Sequence, residues 1–474
     1  MINSTHTKDN KSKDPPSKLT RTDRRYWKRK KAWLRRKAAW ARKLDQAAKL
    51  STNSNTNSKR NKHRPTRSPR SSPKSTQSTD KNNKHKQHQP ATLKPSSLSL
   101  SQDLVGNHNA TFLMNNIKQY AATKRVRFVQ HSRSASRLPT DAEGSFKDIR
   151  YVDSNRVIQT FRDMTVTQCT MEIVSLLTLK NQPYIGNILQ ILHDDTKNHL
   201  IGLSMQRYEQ TLKQYTHQNR LTPHQKLNLI RQMLLSVQCI HRHGIAHRDI
   251  SEVNFMVDRG TLLADGSVAS LVYLIDFGKA TFTRPEDVKR WWIQPNGHDN
   301  STTQYEDEVI PADATALDSW CAQLPWISIK PDHGYRCYRS IQTLPRNRTD
   351  HGVLPWLVDP MAEDMYSITV LIWKVFTESA PWRGVIDTDL PALRDMVNSD
   401  EAIEFNVKRD VPGVLSRELL LMCLKFAPED RATATTLLDW IDTPHISAGL
   451  LEEWGSYHGV TSSRNKRRKM PSSK

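Results

Sequence analysis

Apolar positions are sparse in the first hundred residues and regular afterwards. From Arg21 to Leu50 there is no Pro or Gly. Tyr26, Trp33, Trp40 and Ala47 recur every seven residues, and so do Trp27, Leu34, Ala41 and Ala48. The two series share one side of a helix, so residues 21–50 read as an amphipathic rod. Residues 51–102 are rich in Ser, Thr, Asn, Lys and Pro, with few large apolar side chains. Such a segment buries too little surface to offset its ordering entropy, and it is expected to be disordered, as are residues 1–20. Folded character begins between residues 103 and 140. Residues 144–205 read as short strands around one helix, and helices dominate from 222 onward. Leu227, Ile230, Leu234, Val237 and Ile240 make one apolar helical face, Leu271 to Ile275 is strand-like, and Ile368 to Phe376 suits a buried helix. No internal repeat is found.

Charge sharpens this division. Residues 1–100 hold 28 Lys and Arg against 5 Asp and Glu, which accounts for the whole net charge of +23. The rest of the chain balances, with 43 of each sign. The excess therefore describes a tail, and a basic tail points to anionic partners. Cys169, Cys239, Cys321, Cys337 and Cys423 are odd in number and form no C-x-x-C pair, which argues against a disulfide framework or zinc site and for a reducing compartment. The N-terminus has no secretory character, and no apolar run approaches the length of a transmembrane segment. A soluble intracellular protein is expected.

The candidate chemistry lies in two short runs. His247-Arg248-Asp249-Ile250-Ser251-Glu252-Val253-Asn254 fits the pattern H-R-D-x-x-x-x-N, and the strand-like run from Leu271 leads into Asp276-Phe277-Gly278. Phosphoryl transfer needs its phosphates held, magnesium ions to bridge them and a carboxylate to orient the acceptor hydroxyl. The two runs, in this order, closely resemble the eukaryotic protein kinase family. The resemblance implies an α+β, bilobal protein-kinase-like fold with a small β-rich N-lobe, a large helical C-lobe and a disordered basic N-terminal tail. It implies ATP and Mg2+ as cofactors, Asp249 as catalytic base, and Asn254 and Asp276 as magnesium ligands. Phe277 is implied to pack inward, and Gly278 to let the activation segment turn away. Asp364-Met365-Tyr366-Ser367 looks like the start of the helix that braces the catalytic loop. Phe426 to Thr433 resembles the late P-x-x-R-x-S/T element, with Arg431 a structural ion-pair candidate.

The small lobe departs from the family. Glu172, followed by Leu176 and Leu179, matches the helix glutamate, whose usual partner is the lysine of V-A-I-K. Gln159 stands in that place, within Arg156 to Phe161. The stretch Ala142 to Ile149 keeps only Gly144 of the glycine-rich loop, with Lys147 in place of the third glycine. The pattern is similar to the with-no-lysine kinases, in which a lysine on the second strand supplies the missing charge. Lys147 is therefore the expected phosphate-holding residue, beside Glu172, with Gly144 near the nucleotide. The alternative is a solvated strand lysine in a pseudokinase scaffold. A kinase-fold small-molecule phosphotransferase is a further alternative. Ser251 replaces the lysine the family places two residues after its aspartate, and the run Arg-Asp-Ile-Ser resembles a fungal-restricted kinase group. The activation segment, Asp276 to Asp364, is very long. If Gly334 to Arg339 stands for G-Y-R-A-P-E, Arg339 replaces its glutamate and removes the usual partner of Arg431.

The resulting division is 1–20 disordered, 21–50 basic amphipathic helix, 51–102 disordered linker, 103–139 an extension, 140–205 N-lobe, 206–445 C-lobe and 446–474 a basic C-terminal tail. Protein substrates are the expected partners. The twelve Lys and Arg from Arg21 to Lys43, interleaved with Trp27, Trp33 and Trp40, suit nucleic acid or another acidic partner, a calmodulin groove or an anionic membrane. Together with Lys466-Arg467-Arg468-Lys469 they also suit import to the nucleus. Lys124-Arg125-Val126-Arg127-Phe128 resembles the R-V-x-F peptide that docks on a type 1 Ser/Thr phosphatase. The same alternation of Val126 and Phe128 also suits a first strand of the small lobe.

Overall fold

The computed structural model describes residues 108–131, 140–143, 146–162, 164–194, 199–292 and 314–466. The basic rod and its linker, Gly144, the acidic patch at Tyr305 to Glu308 and Arg467 to Lys469 lie outside the described residues.

The small lobe is built on a six-stranded sheet. Helix α1 (His108–Thr123) leads into β1 (Arg127–Gln130), followed by β2 (Ala142–Glu143), β3 (Lys147–Tyr151) and β4 (Arg156–Phe161). Helix α2 (Val166–Thr178) crosses to β5 (Ile188–Asp194) and β6 (His199–Gln206). The spatial order is β1-β5-β6-β4-β3-β2. All pairs are antiparallel except β1 on β5. A capping box starts α2: the Thr165 hydroxyl accepts from Gln168 N, and the Gln168 side chain accepts from Thr165 N.

This lobe begins earlier than residue 140. Helix α1 packs on α2, and β1 forms the sheet edge in register Phe128 to Ile191. The phosphatase-docking expectation is corrected by the same geometry. Val126 is only 4% exposed, Phe128 packs against the core, and Arg125 sits in the turn before β1 with φ of 54°. A peptide whose anchors already fill its own lobe has no apolar side chains left to offer a partner.

The large lobe is mostly helical. It contains β7 (Gln210–Thr211), α3 (Leu212–Gln218), α4 (Pro223–Arg242), β8 (Ile245–Ala246), β9 (Phe255–Leu262) and β10 (Val268–Leu274). Next come β11 (Thr281–Phe282), α5 (Pro285–Trp292), α6 (Ala314–Cys321) and α7 (Pro360–Thr377). The chain closes with α8 (Leu390–Met396), α9 (Asp400–Asp410), α10 (Val414–Leu421), α11 (Ala434–Ile441) and α12 (Pro444–Lys466). Helix α4 is started by a Thr222–Gln225 capping box with Pro at its first position. It buries Ile230, Leu234, Val237 and Ile240 completely. It ends at Gly244, whose φ of +70° requires a residue without a side chain, and whose added Cβ would strike Arg284. The chain therefore turns into β8 and reaches the catalytic loop one residue later.

Two further expectations change. The C-terminal tail does not start at 446, because α12 continues past it and buries Leu450 and Trp454, the latter stacked on Phe376 at 5.5 Å. Arg431 also has a partner. It donates from Nη1 to Glu363 Oε1 at 2.7 Å, and the same carboxylate accepts from Ser340 Oγ at 2.6 Å and Thr343 Oγ1 at 2.7 Å. Glu363 on α7 is thus the partner of Arg431, and it ties Ser340 and Thr343 of the activation segment to that arginine. Removing one partner of a buried pair strands the other charge. Glu363→Ala should therefore lower stability by about 3–5 kcal/mol, read from the midpoint of chemical unfolding, with Glu363→Gln costing less. Equal midpoints for wild type and Glu363→Ala would show that the pair contributes nothing.

Candidate active site

The site lies where the sheet, α2 and the loop after β8 converge. In the antiparallel pairing of β3 with β4, Lys147 lies opposite Phe161 and Ile149 opposite Gln159. These four share one face of the sheet, and Lys147 and Gln159 are diagonal neighbours on it. A lysine at 147 can therefore serve the space that a lysine at 159 would serve. Gln159 is itself buried there, and its Oε1 has no hydrogen-bond partner among the described residues.

Lys147 Nζ lies 2.7 Å from Glu172 Oε1 and donates to Asp276 Oδ1 at 2.7 Å. Glu172 is completely buried on α2, whereas the Asp276 side chain is 42% exposed. Burial disfavours the ammonium of Lys147, but Asp276 and Glu172 outweigh it and hold the group charged, above the ordinary lysine range. Burial likewise opposes the charge of Asp276, and Lys147 more than offsets it, keeping that carboxyl below its ordinary range. Glu172 goes the other way: burial dominates and raises it despite Lys147.

The catalytic loop is held through its backbone. Asp364 on α7 is almost fully buried and accepts from His247 N at 2.6 Å and Arg248 N at 2.7 Å. His241 Nε2 lies 3.1 Å from the same carboxylate. The His247 ring donates from Nε2 to Ile275 O at 3.0 Å, while its Nδ1 accepts from Asp249 N at 3.2 Å. Phe277 is buried with its ring 5.0 Å from that of His247. Arg248 and Asp276 take left-handed conformations with φ of 64° and 69°, a strain that non-glycine residues bear where surrounding contacts impose it. The turn after β10 is thus made at Asp276 and not at Gly278. Gly278 instead allows close approach, since a Cβ there would lie 3.1 Å from Met164.

Asn254 donates from Nδ2 to Asp249 O at 2.7 Å and to Asp249 Oδ2 at 3.3 Å. Its nitrogen is committed to Asp249, so its oxygen is the atom that can meet a cation. With the carboxylate of Asp276, this gives the hard oxygen donors that Mg2+ takes. Among the described residues no group of three or more His, Cys, Asp and Glu could hold a metal, so an ion here would draw further oxygens from a bound phosphate, as Mg2+ ordinarily does.

Two cations that sequence reasoning did not place reach Asp249. Lys279 Nζ lies 3.4 Å from Asp249 Oδ1, and Arg339 Nη2 lies 2.9 Å from the same oxygen. Asp332 joins them, at 3.6 Å from Lys279 and 2.8 Å from Arg339. Burial raises the Asp249 carboxyl, and Lys279 and Arg339 together more than reverse this, holding it below the ordinary range. Lys279 was within reach of the motif, three residues after Asp276. Arg339 was visible in sequence only as the loss of a glutamate.

Residues 147–305 match the protein kinase domain family. The chain is 30% identical to sperm motility kinase 3A of Mus musculus over 112 residues, 24% of this chain and 20% of that protein. It is 24% identical to mitogen-activated protein kinase kinase kinase 9 of Arabidopsis thaliana over 229 residues, 46% of this chain and 20% of that protein. It is 27% identical to mitogen-activated protein kinase kinase kinase 1 of Arabidopsis thaliana over 159 residues, 32% of this chain and 23% of that protein. The chain thus spans about a fifth of the length of these relatives. The family match covers Lys147, Glu172, Asp249 and Asp276, and with the α+β two-lobed fold it places the chain in the eukaryotic protein kinase superfamily.

Proposed function

We propose that the domain is an active, ATP-dependent protein kinase that phosphorylates Ser or Thr of protein substrates. The observation that carries this reading is the position of Lys147, 2.7 Å from both Glu172 and Asp276. A solvated strand lysine would not stand buried between two carboxylates at the point where phosphates are held. In this reading Lys147 steadies the nucleotide phosphates and Glu172 steadies Lys147. Gly144 is the proposed glycine of the nucleotide loop, and Asp276 and Asn254 would hold Mg2+, which when bound offsets charge on the phosphates. Asp249 orients the acceptor hydroxyl and takes its proton. The hydroxyl oxygen bonds to the γ-phosphorus as the bond to the bridging oxygen breaks, and ADP leaves. The curated relatives are named as kinases, two of them as mitogen-activated protein kinase kinase kinases, which favours protein over small-molecule acceptors. The basic segments at Arg21 to Lys43 and Lys466 to Lys469 extend the reading to a nuclear address and an acidic partner.

Incubation of the purified chain with Mg-ATP should label the chain itself or a general protein substrate, with the phosphate on Ser or Thr by phosphoamino-acid analysis. Asp249→Asn should abolish the labelling. Labelling unchanged by that substitution would sink the assignment, and phosphate appearing on metabolites but on no protein would favour a small-molecule kinase.

Lys147→Met should lower turnover by roughly a hundredfold or more, the scale for removing a preorganised group that stabilises developing charge. Adding Gln159→Lys to that variant should recover part of the loss, because the two positions are diagonal neighbours on one sheet face. Full activity of Lys147→Met would refute the role given to Lys147.

A further inference from the structure

Ser251 occupies the position where the related kinases carry a lysine beside the catalytic carboxylate. It cannot act from there. Its side chain is completely buried, and its Oγ has no hydrogen-bond partner among the described residues. The position therefore supplies no charge to the cleft. The charge reaches the cleft from elsewhere in the chain. Lys279 leaves the backbone three residues after Asp276, and its side chain, 28% exposed, brings the ammonium to 3.4 Å from Asp249 Oδ1. A partly exposed side chain that brings its ammonium beside the carboxylate that faces the acceptor is placed where the terminal phosphate must pass.

Arg339 has a different setting. It is 4% exposed, and all three nitrogens of its guanidinium are engaged. Nη2 meets Asp249 at 2.9 Å and Asp332 at 2.8 Å, Nη1 meets Ser367 Oγ at 3.3 Å, and Nε meets Gly334 O at 3.3 Å. A guanidinium so engaged fixes a geometry and has little left for a ligand. The turn that delivers it is closely fitted. A Cβ at Gly334 would lie 3.3 Å from Lys279 Nζ and 3.4 Å from Asp332 Oδ1, and Tyr335 follows with φ of 40°.

We propose that Lys279 and Arg339 divide between them the work of the absent catalytic-loop lysine: Lys279 is a catalytic residue that contacts the terminal phosphate of the nucleotide, and Arg339 is a positioning residue that holds Asp249. The inference rests on the phosphotransferase reading above and deepens it. Both cations belong to the activation segment, one at its start and one near its end, and Asp332 binds both. The surroundings of Asp249 are therefore complete only when Lys279 and Arg339 are both folded onto it. The segment becomes part of the active site and not only a surface for substrate.

The test uses the full chain, titrated by calorimetry with Mg2+ and either ADP or a non-hydrolysable ATP analogue, alongside steady-state kinetics. Lys279→Ala should weaken the ATP analogue about tenfold, the scale of one charge-assisted hydrogen bond, while leaving ADP binding unchanged. Turnover should fall further than that, and Lys279→Arg should recover part of both. Arg339→Ala should leave both nucleotide affinities and the KM for ATP unchanged while lowering kcat. Because that variant empties a buried site, Arg339→Lys is measured with it, and partial recovery of kcat at an unchanged melting temperature is expected. Equal loss of ADP and ATP-analogue affinity in Lys279→Ala would overturn the contact with the terminal phosphate. A rise in kcat on removing Arg339 would show a latch on Asp249 and overturn the positioning role. Wild-type protein that binds neither nucleotide would refute the phosphotransferase reading itself. Wild-type binding without transfer still leaves the comparison of the two nucleotides to decide the place of Lys279.

Discussion

A lysine ammonium buried between two carboxylates joins the lobes at the point where chemistry is proposed. Lys147 comes from the sheet, Glu172 from α2 and Asp276 from the loop after β10. Taking the charges of Lys147 and Glu172 out of water is costly unless each meets an opposite charge at contact distance. The arrangement therefore fixes three elements at once. If α2 swings out, Lys147 loses Glu172; if the loop at Asp276 moves, Lys147 loses its other partner. The raised affinity of Lys147 for its proton and the depressed one of Asp276 express the same attraction from its two ends. A lysine on the neighbouring strand serves because the sheet register, and not the residue number, decides which side chains share a face.

The large lobe is organised by two consecutive carboxylates on α7 that look in different directions. Asp364 takes the backbone N–H groups of His247 and Arg248 and so shapes the catalytic loop. Glu363 takes Arg431, Ser340 and Thr343 and so anchors the end of the activation segment. Successive helical positions point about 100° apart. One buried helix thereby holds both the loop that carries Asp249 and the segment that carries Arg339. The long segment between Gly278 and α7 is no loose excursion where it is described. It contributes Trp291, Ile327, Ile329, Tyr338, Leu344 and Val358 to the core.

Elements whose signal lies within one contiguous stretch were legible from the sequence. The apolar face of α4, the run leading to Asp276 and the catalytic-loop pattern each span only a few turns or residues, and local periodicity reports them directly. The neighbourhood of Lys147 was legible for a related reason, since an antiparallel hairpin brings nearby residues together. Pairings across long stretches of chain were not. Glu363 and Arg431 are 68 residues apart, and Arg339 and Asp249 are 90 apart. A charged residue shows its sign in sequence but not its partner. Helix α12 was hidden by dilution: Gly449, Gly455 and several Ser and His interrupt its apolar pattern, and among its described side chains only Leu450 and Trp454 are fully buried. The alternation at Val126 and Phe128 was ambiguous, because an extended peptide docks on a foreign sheet edge with the same periodicity that it uses to complete its own sheet.

That last ambiguity has a structural consequence. With β1 built into the small lobe, α1 before it is held against α2, and Tyr120 near its end meets both neighbours of the lysine cluster. Its hydroxyl lies 3.1 Å from Thr178 Oγ1 at the end of α2. Its ring meets Trp291 edge-on at 5.4 Å and lies 4.5 Å beneath the Arg290 guanidinium. Trp291 is buried on α5, thirteen residues beyond Gly278. One side chain outside the matched region thus bridges the helix that carries Glu172 and the segment that leaves Asp276. Aromatic and cation–π contacts of this kind contribute on the order of 1 kcal/mol each, small beside the ion pairs they flank. Their place matters more than their size. They act on the two elements whose separation would pull Glu172 and Asp276 away from Lys147, so residues 108–131 belong to the folded unit whose geometry the site depends on.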